Sequence, residues 1–172
     1  MKKLILLGYM GSGKSTIAKL VSNNLQLPYK DLDLCIEEQE QMSVSAIFET
    51  KGEIYFRKKE HLVFKELMAS EESFVLSLGG GTPCYANNHL LLNGEGIISV
   101  YLKTSLEDLY QRLKSEKDTR PLLFHKSPEE LKEFIAQHLF ERSFYYNQAM
   151  FTLNTEGKSP QEIVAEIQNL LV

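Results

Sequence analysis

The stretch Gly8-Tyr9-Met10-Gly11-Ser12-Gly13-Lys14-Ser15-Thr16 constrains this chain more than any other, because it fits GxxxxGK[ST] from Gly8 to Ser15. That pattern is chemically useful only between a strand and a helix, and both are indicated. The apolar run Leu4-Ile5-Leu6-Leu7 has the length of a buried strand, while Ile17, Ala18, Leu20, Val21 and Leu25 recur at helical spacing. Gly8, Gly11 and Gly13 let the backbone wrap with its N–H groups inward, and the helix N-terminus adds positive potential, so a polyphosphate is cradled. Lys14 brings a mobile charge to the outer phosphates, and the Ser15 hydroxyl is placed to ligate Mg²⁺. The alternative, an ordinary glycine-rich turn before a helix, leaves Lys-Ser at this offset without a reason. Gly11, Ser12, Gly13, Lys14, Ser15 and Thr16 are therefore the candidate ATP ligands of a phosphate loop at 8–16.

A chain of 172 residues suits one domain, 1–172, with a substantial core. Its formal net charge of −4 argues against nucleic acid or an anionic membrane surface as partner. No apolar span has membrane-crossing length, and Met-Lys-Lys runs into the phosphate loop without a signal-peptide pattern. A cytoplasmic monomer is expected. Cys35 and Cys84 lack metal-ligand spacing and read as packing residues, although alkylation of Cys84, just past a glycine triplet, could impede a site there. Of 19 basic residues only Arg57, Arg112, Arg120 and Arg142 are arginine. The guanidinium fork suits paired carboxylate or phosphate oxygens in a way lysine does not, so these four are binding candidates. Structural salt bridges are the competing explanation for any one of them.

Along the chain, Leu27 to Asp33 reads as a second strand whose period puts the Asp31 and Asp33 carboxylates on one side of its carboxyl end. Ligands of open α/β sheets bind outside the carboxyl ends of strands, so one carboxylate is expected to serve a metal and the other a substrate hydroxyl. Asp33 capping a helix that starts near Leu34 is the alternative. Ser43 to Thr50 predicts a short helix closed by Gly52. A second helix follows from about Glu53 to Ala69, with Phe56, Val63, Phe64 and Leu67 inward and Arg57 on its first turns. The β run Ser73 to Leu78 empties into Gly79-Gly80-Gly81, where close approach of a ligand to the backbone would explain three glycines. That strand carries no terminal acid, which leaves Asp31, with Ser77 nearby, to support Mg²⁺.

Gly96 to Leu102 predicts a fourth strand, followed by a helix capped by Ser105 with Arg112 off its apolar face. The polar stretch at about 115–126, holding Arg120-Pro121-Leu122-Leu123, suggests a lid over the phosphates, with a mobile surface loop as the alternative. Ser127-Pro128-Glu129-Glu130 opens a helix whose stripe includes His138, expected to be a satisfied packing histidine. Met150 to Leu153 is a fifth strand, and Ser159 caps a last amphipathic helix. Strands alternating with helices predict an α/β P-loop kinase architecture with a parallel sheet covered on both faces.

GxxxxGKS, Asp-x-Asp at Asp31 and Asp33, Phe56-Arg57, the glycine triplet, Arg120-Pro121-Leu122-Leu123, and Arg142 four residues before Tyr146 together resemble the shikimate kinases over nearly the whole chain. The resemblance implies a P-loop NTPase fold like that of the nucleoside-monophosphate kinases: three layers, a five-stranded parallel sheet ordered 2-3-1-4-5, substrate-binding helices at about 33–61 and a lid loop. It implies Mg-dependent transfer of the ATP γ-phosphate to the 3-hydroxyl of shikimate, on the way to chorismate and the aromatic amino acids. By position, Asp33 resembles the acceptor-hydroxyl base, and Lys14 and Arg120 the groups at the transferring phosphate. Arg57 and Arg142 resemble the carboxylate grip, with Gly79, Gly80 and Gly81 beside it. Glu60 resembles an acid supporting the substrate arginine, Arg112 an adenine contact, and Ser15 and Asp31 the Mg²⁺ positions. Phe144-Tyr145 stand where the family commonly has Pro-Leu, and Asn154 where Asp is frequent. A gluconate-type kinase of the same fold and a nucleotide-binding switch are the rival functions, and the Asn-Lys-x-Asp signature of a GTPase does not occur.

Overall fold

Strand β1 (Lys3–Leu7) is buried along its whole length, which explains an apolar run without alternation. It pairs in parallel with β3 (Phe74–Ser77) on one side and β4 (Ile97–Lys103) on the other. The edges are β2 (Tyr29–Asp31), beside β3, and β5 (Phe151–Asn154), beside β4, giving the order 2-3-1-4-5 that the resemblance implied. These coordinates are a computed structural model that describes residues 3–116, 120 and 123–172.

Successive β1 residues point to opposite faces, and each face has its own core. Leu4 and Leu6 pack with Ile17, Ala18 and Val21 of α1 (Lys14–Leu25) and Ile163, Val164 and Ile167 of α6 (Pro160–Leu170). Ile5 and Leu7 face α2 (Leu32–Glu40), α3 (Val44–Ala69), α4 (Leu106–Lys114) and α5 (Pro128–Tyr146) through Ile36, Phe64, Leu109 and Ile135. Fully burying each leucine or isoleucine of β1 is worth roughly 1.5–3 kcal/mol, so the central strand anchors both layers. Capping boxes at Ser127 and Ser159 start α5 and α6 where expected. The two helices predicted on either side of Gly52 run as one long element broken at that glycine, whose φ of 83° and ψ of 170° are not helical.

The second strand differs from the sequence expectation. It ends at Asp31, not Asp33, because the Asp31 side chain accepts from the Leu34 N–H at 3.2 Å and caps α2. Asp33 therefore lies in the first helical turn, not two residues along a strand from Asp31, and is not the cap. The reversal of strand order around β1 puts the carboxyl ends of β1, β3 and β2 side by side, and the phosphate loop, Gly79-Gly80-Gly81 and the acidic pair emerge there. Of the expected lid, residues 117–119, Pro121 and Leu122 lie outside the described residues. Leu123 is fully buried.

Candidate active site

The phosphate loop has the backbone its glycines foretell. At Gly8 (φ 154°) a Cβ would sit 2.8 Å from the Leu102 carbonyl oxygen, and Gly13 (φ 87°) turns the chain into α1. The Lys14 ammonium donates to the carbonyls of Gly8 at 2.8 Å and Tyr9 at 2.9 Å. Burial pulls its pKa down to about 8, opposed chiefly by the negative charge of Asp33. Ser12 is buried with its hydroxyl unpaired among the described residues.

From α4, Arg112 reaches over the loop and donates to the Gly11 carbonyl at 3.0 Å. Arg120 pairs with Glu116 through Nε and Nη2, both at 2.9 Å. Gly11, Gly13, Lys14, Ser15, Thr16, Arg112 and Arg120 line one cleft of about 460 Å³ together with Asp31, Asp33, Ser77, Gly79 and Gly80.

The two aspartates occupy different environments. Asp31 Oδ2 accepts from the Tyr29 hydroxyl at 3.2 Å and lies 3.5 Å from Ser15 Oγ. Hydroxyl and carboxylate together face the loop. At Asp33, burial pushes the pKa up to about 6, with the charges of Asp31 and Glu60 adding to the rise and Lys14 opposing it. A carboxyl poised there is mostly ionised at neutral pH yet basic enough to take a proton.

Behind the glycine triplet stand the other two arginines. A Cβ on Gly81 would lie 2.8 Å from Arg57 Nη2, one on Gly80 3.4 Å from Arg142 Nη1, and one on Gly79 3.3 Å from Asp33 Oδ1. None of the three has positive φ. Gly79 and Gly80 are approached still more closely by the Thr82 hydroxyl, 3.1 Å from such a Cβ, and the Met10 backbone nitrogen, at 3.3 Å, so all three are hemmed in where a side chain would begin. Arg57 is held by Glu60 at 2.9 Å and lies over the Tyr85 ring with its guanidinium carbon 3.9 Å from the centroid. The buried Glu60 also accepts from the Thr82 hydroxyl at 2.8 Å. Arg142 faces the Tyr9 ring at 5.6 Å, and the Tyr9 hydroxyl meets His138 Nδ1 at 3.0 Å, the satisfied partner expected for that histidine.

Arg57, Gly81 and Arg142 do not line this cleft, and they adjoin it through Gly80, which does. Burial raises the Cys84 thiol to about 11 against the pull of Arg142 and Arg57, so it stays protonated at neutral pH. The contacts of Thr82 with Glu60, Tyr85 with Arg57 and Tyr146 with the Gly80 carbonyl have no signal in the order of residues. The only trace of Tyr146 was its place four residues after Arg142.

A sequence model described as shikimate kinase matches residues 10–172. Shikimate kinase of Flavobacterium johnsoniae is 54% identical over 171 residues, covering 99% of each chain. That of Parabacteroides distasonis is 40% identical over 172 residues, covering 100% of this chain and 98% of the relative. The crystal structure of shikimate kinase from Bacteroides thetaiotaomicron superposes with a TM-score of 0.89 at 35% identity, covering 98% of this chain and 97% of that one. Shikimate kinase from Acinetobacter baumannii in complex with shikimate gives 0.87 at 31%, covering 99% and 93%. With family model, relatives and solved structures agreeing over almost the whole length, the chain belongs to the shikimate kinase family.

Proposed function

We propose that this protein transfers the γ-phosphoryl group of ATP to the 3-hydroxyl of shikimate, yielding shikimate 3-phosphate and ADP for the synthesis of chorismate and the aromatic amino acids. The observation that carries it is the meeting of two walls at Asp33: a phosphate loop with a buried Lys14 on one side, and two arginines against a glycine triplet on the other. A small polyol bearing a carboxylate fits such a wall, since paired guanidinium groups and backbone N–H groups recognise the carboxylate end and Asp33 the hydroxyl end.

In the reaction Asp33 accepts the proton of the 3-hydroxyl as its oxygen bonds to the γ-phosphorus. The bond to the β–γ bridging oxygen breaks and ADP leaves. Little covalent work falls to the protein, so charge and position carry the rate. Lys14, released from the Gly8 and Tyr9 carbonyls when phosphates arrive, meets the outer oxygens, and Arg120 exchanges Glu116 for the transferring group. Gly11, Ser12, Gly13, Ser15 and Thr16 hold the phosphates, and Arg112 lies at the adenine side. Gly79, Gly80, Gly81, Arg57 and Arg142 hold the acceptor.

Mg²⁺ is the proposed cofactor, and the donors suit it: Ser15 Oγ and Asp31 Oδ2 are hard oxygens 3.5 Å apart on the rim of the phosphate cleft. Magnesium takes one or two protein oxygens and completes its octahedron with phosphates and water. When bound it would neutralise phosphate charge. We further propose a cytoplasmic monomer; no helix among the described residues is long and apolar enough to cross a membrane.

The test is ADP release by the purified protein with Mg·ATP and, in parallel, shikimate, gluconate or no acceptor. Release that depends on shikimate is expected. Release with gluconate alone would overturn the acceptor assignment, and release with neither would leave only a nucleotide-binding protein.

A further inference from the structure

Tyr146 belongs to the motif that pointed to the acceptor site, yet no role follows from the sequence or from the proposed chemistry. It is fully buried at the last residue of α5, one helical turn beyond Arg142, with its ring 5.0 Å from that of Tyr101. Its hydroxyl donates to the Gly80 carbonyl at 2.6 Å, a contact bridging 66 residues of sequence. Burial raises its pKa far above the ordinary value, with the Arg142 charge pulling the other way, so the hydroxyl keeps its proton. Tyr146 is a permanent donor.

The Gly80–Gly81 peptide is planar and trans, so its N–H points opposite to its C=O. A hydroxyl that holds the Gly80 carbonyl therefore also sets the direction of the Gly81 N–H. Glycine is where such help matters, because without a side chain neither residue resists rotation of the peptide. Among the described residues neither the Gly80 nor the Gly81 N–H has a protein acceptor. The same peptide lies between the two arginines, with Arg142 against Gly80 and Arg57 against Gly81.

We propose that Tyr146 is a positioning residue for the acceptor's carboxylate: by holding the Gly80 carbonyl it aims the Gly81 N–H between Arg57 and Arg142 and keeps that donor set pre-organised. This rests on the function proposed above. Tyr146 touches no reacting atom, so its loss weakens acceptor binding and leaves the chemical step alone.

The test compares wild type and Tyr146→Phe with shikimate and with its neutral carboxamide analogue, at saturating Mg·ATP. One hydrogen bond to the site predicts a rise in shikimate KM of about 5- to 10-fold, with kcat and the KM for ATP within about twofold. The carboxamide kcat/KM should change far less, because it lacks the charge the aligned donors recognise. An unchanged shikimate KM overturns the inference, as does an equal loss for both acceptors or a matching rise in the ATP KM, since a merely structural tyrosine would produce those. Should Tyr146→Phe not fold, Tyr146→4-fluorophenylalanine fills the hydroxyl's space with no proton to donate and is judged by the same ratio. Wild-type protein that does not turn shikimate over overturns the proposed function and this inference together, whereas failure of the variant comparison alone leaves the function standing.

Discussion

The two walls of the cleft are built in opposite ways. The nucleotide wall is built round one run of chain, residues 8–16, in which consecutive backbone groups and Lys14 follow from local conformation, with Arg112 and Arg120 added from outside it. The proposed acceptor wall draws Asp33 from α2, Arg57 from α3, the glycine triplet from the end of β3 and Arg142 from α5. A wall made of neighbours in sequence is specified by turn chemistry. A wall made of distant segments is specified by packing, and it can be altered one element at a time.

If the two walls are separable, Asp33→Asn gives the largest effect. Turnover should fall by about 10²- to 10⁴-fold, the usual range for a lost general base, while ATP affinity stays within about twofold. Stopped turnover with equally weakened ATP binding would break the comparison. Arg57→Ala comes next. Losing one charged hydrogen-bonding partner should raise the shikimate KM by about 10- to 100-fold and leave the ATP KM nearly constant, as steady-state kinetics would show. Stability should also fall, because Glu60 is 1% exposed and would lose the 2.9 Å partner on one oxygen. An unchanged shikimate KM would remove Arg57 from the acceptor wall.

The pH dependence sharpens the comparison further. With Asp33 near 6, kcat/KM should rise with pH through that value and level off above it, falling about tenfold between pH 7 and pH 5. The stability linkage has the opposite sense. Because the folded pKa lies above the ordinary carboxyl value of 3.8, the folded state holds this proton more tightly, and the associated stability, complete below about 3.8, is lost as pH rises towards 6. At neutral pH the ionised Asp33 is a strained group. Asp33→Asn should therefore raise Tm by a few degrees at pH 7 even as turnover falls. A lowered Tm would show that the carboxylate is stabilised in the fold, contrary to the burial that raises its pKa.

Much of this was legible in advance for a physical reason particular to each residue. Lys14 and Ser15 stand at a fixed offset from Gly8, and a helix start leaves them little freedom. The strands followed from apolar runs and the break at Gly52 from a residue that turns easily, whereas the strand order came only from the resemblance to the shikimate kinases. Asp31 was harder. A carboxylate at a strand end and a carboxylate capping a helix look alike in sequence, and only the short contact to the Leu34 N–H separates them. The glycine triplet was tied to close approach of a ligand, whereas the groups that stand against it in the fold are Arg57, Arg142, Asp33, Thr82 and the Met10 backbone.

By itself, then, the amino-acid order determined the fold class, the phosphate loop and the chemical types needed on the acceptor side, because each depends on periodicity, backbone freedom or charge carried by neighbouring residues. Only the tertiary structure decided that Asp33 would be raised towards neutrality, that Arg57 would lie between Glu60 and Tyr85, and that Tyr146 would hold the Gly80 carbonyl. Those outcomes depend on burial and on contacts between residues far apart in the chain, and neither exists until the two layers close over β1.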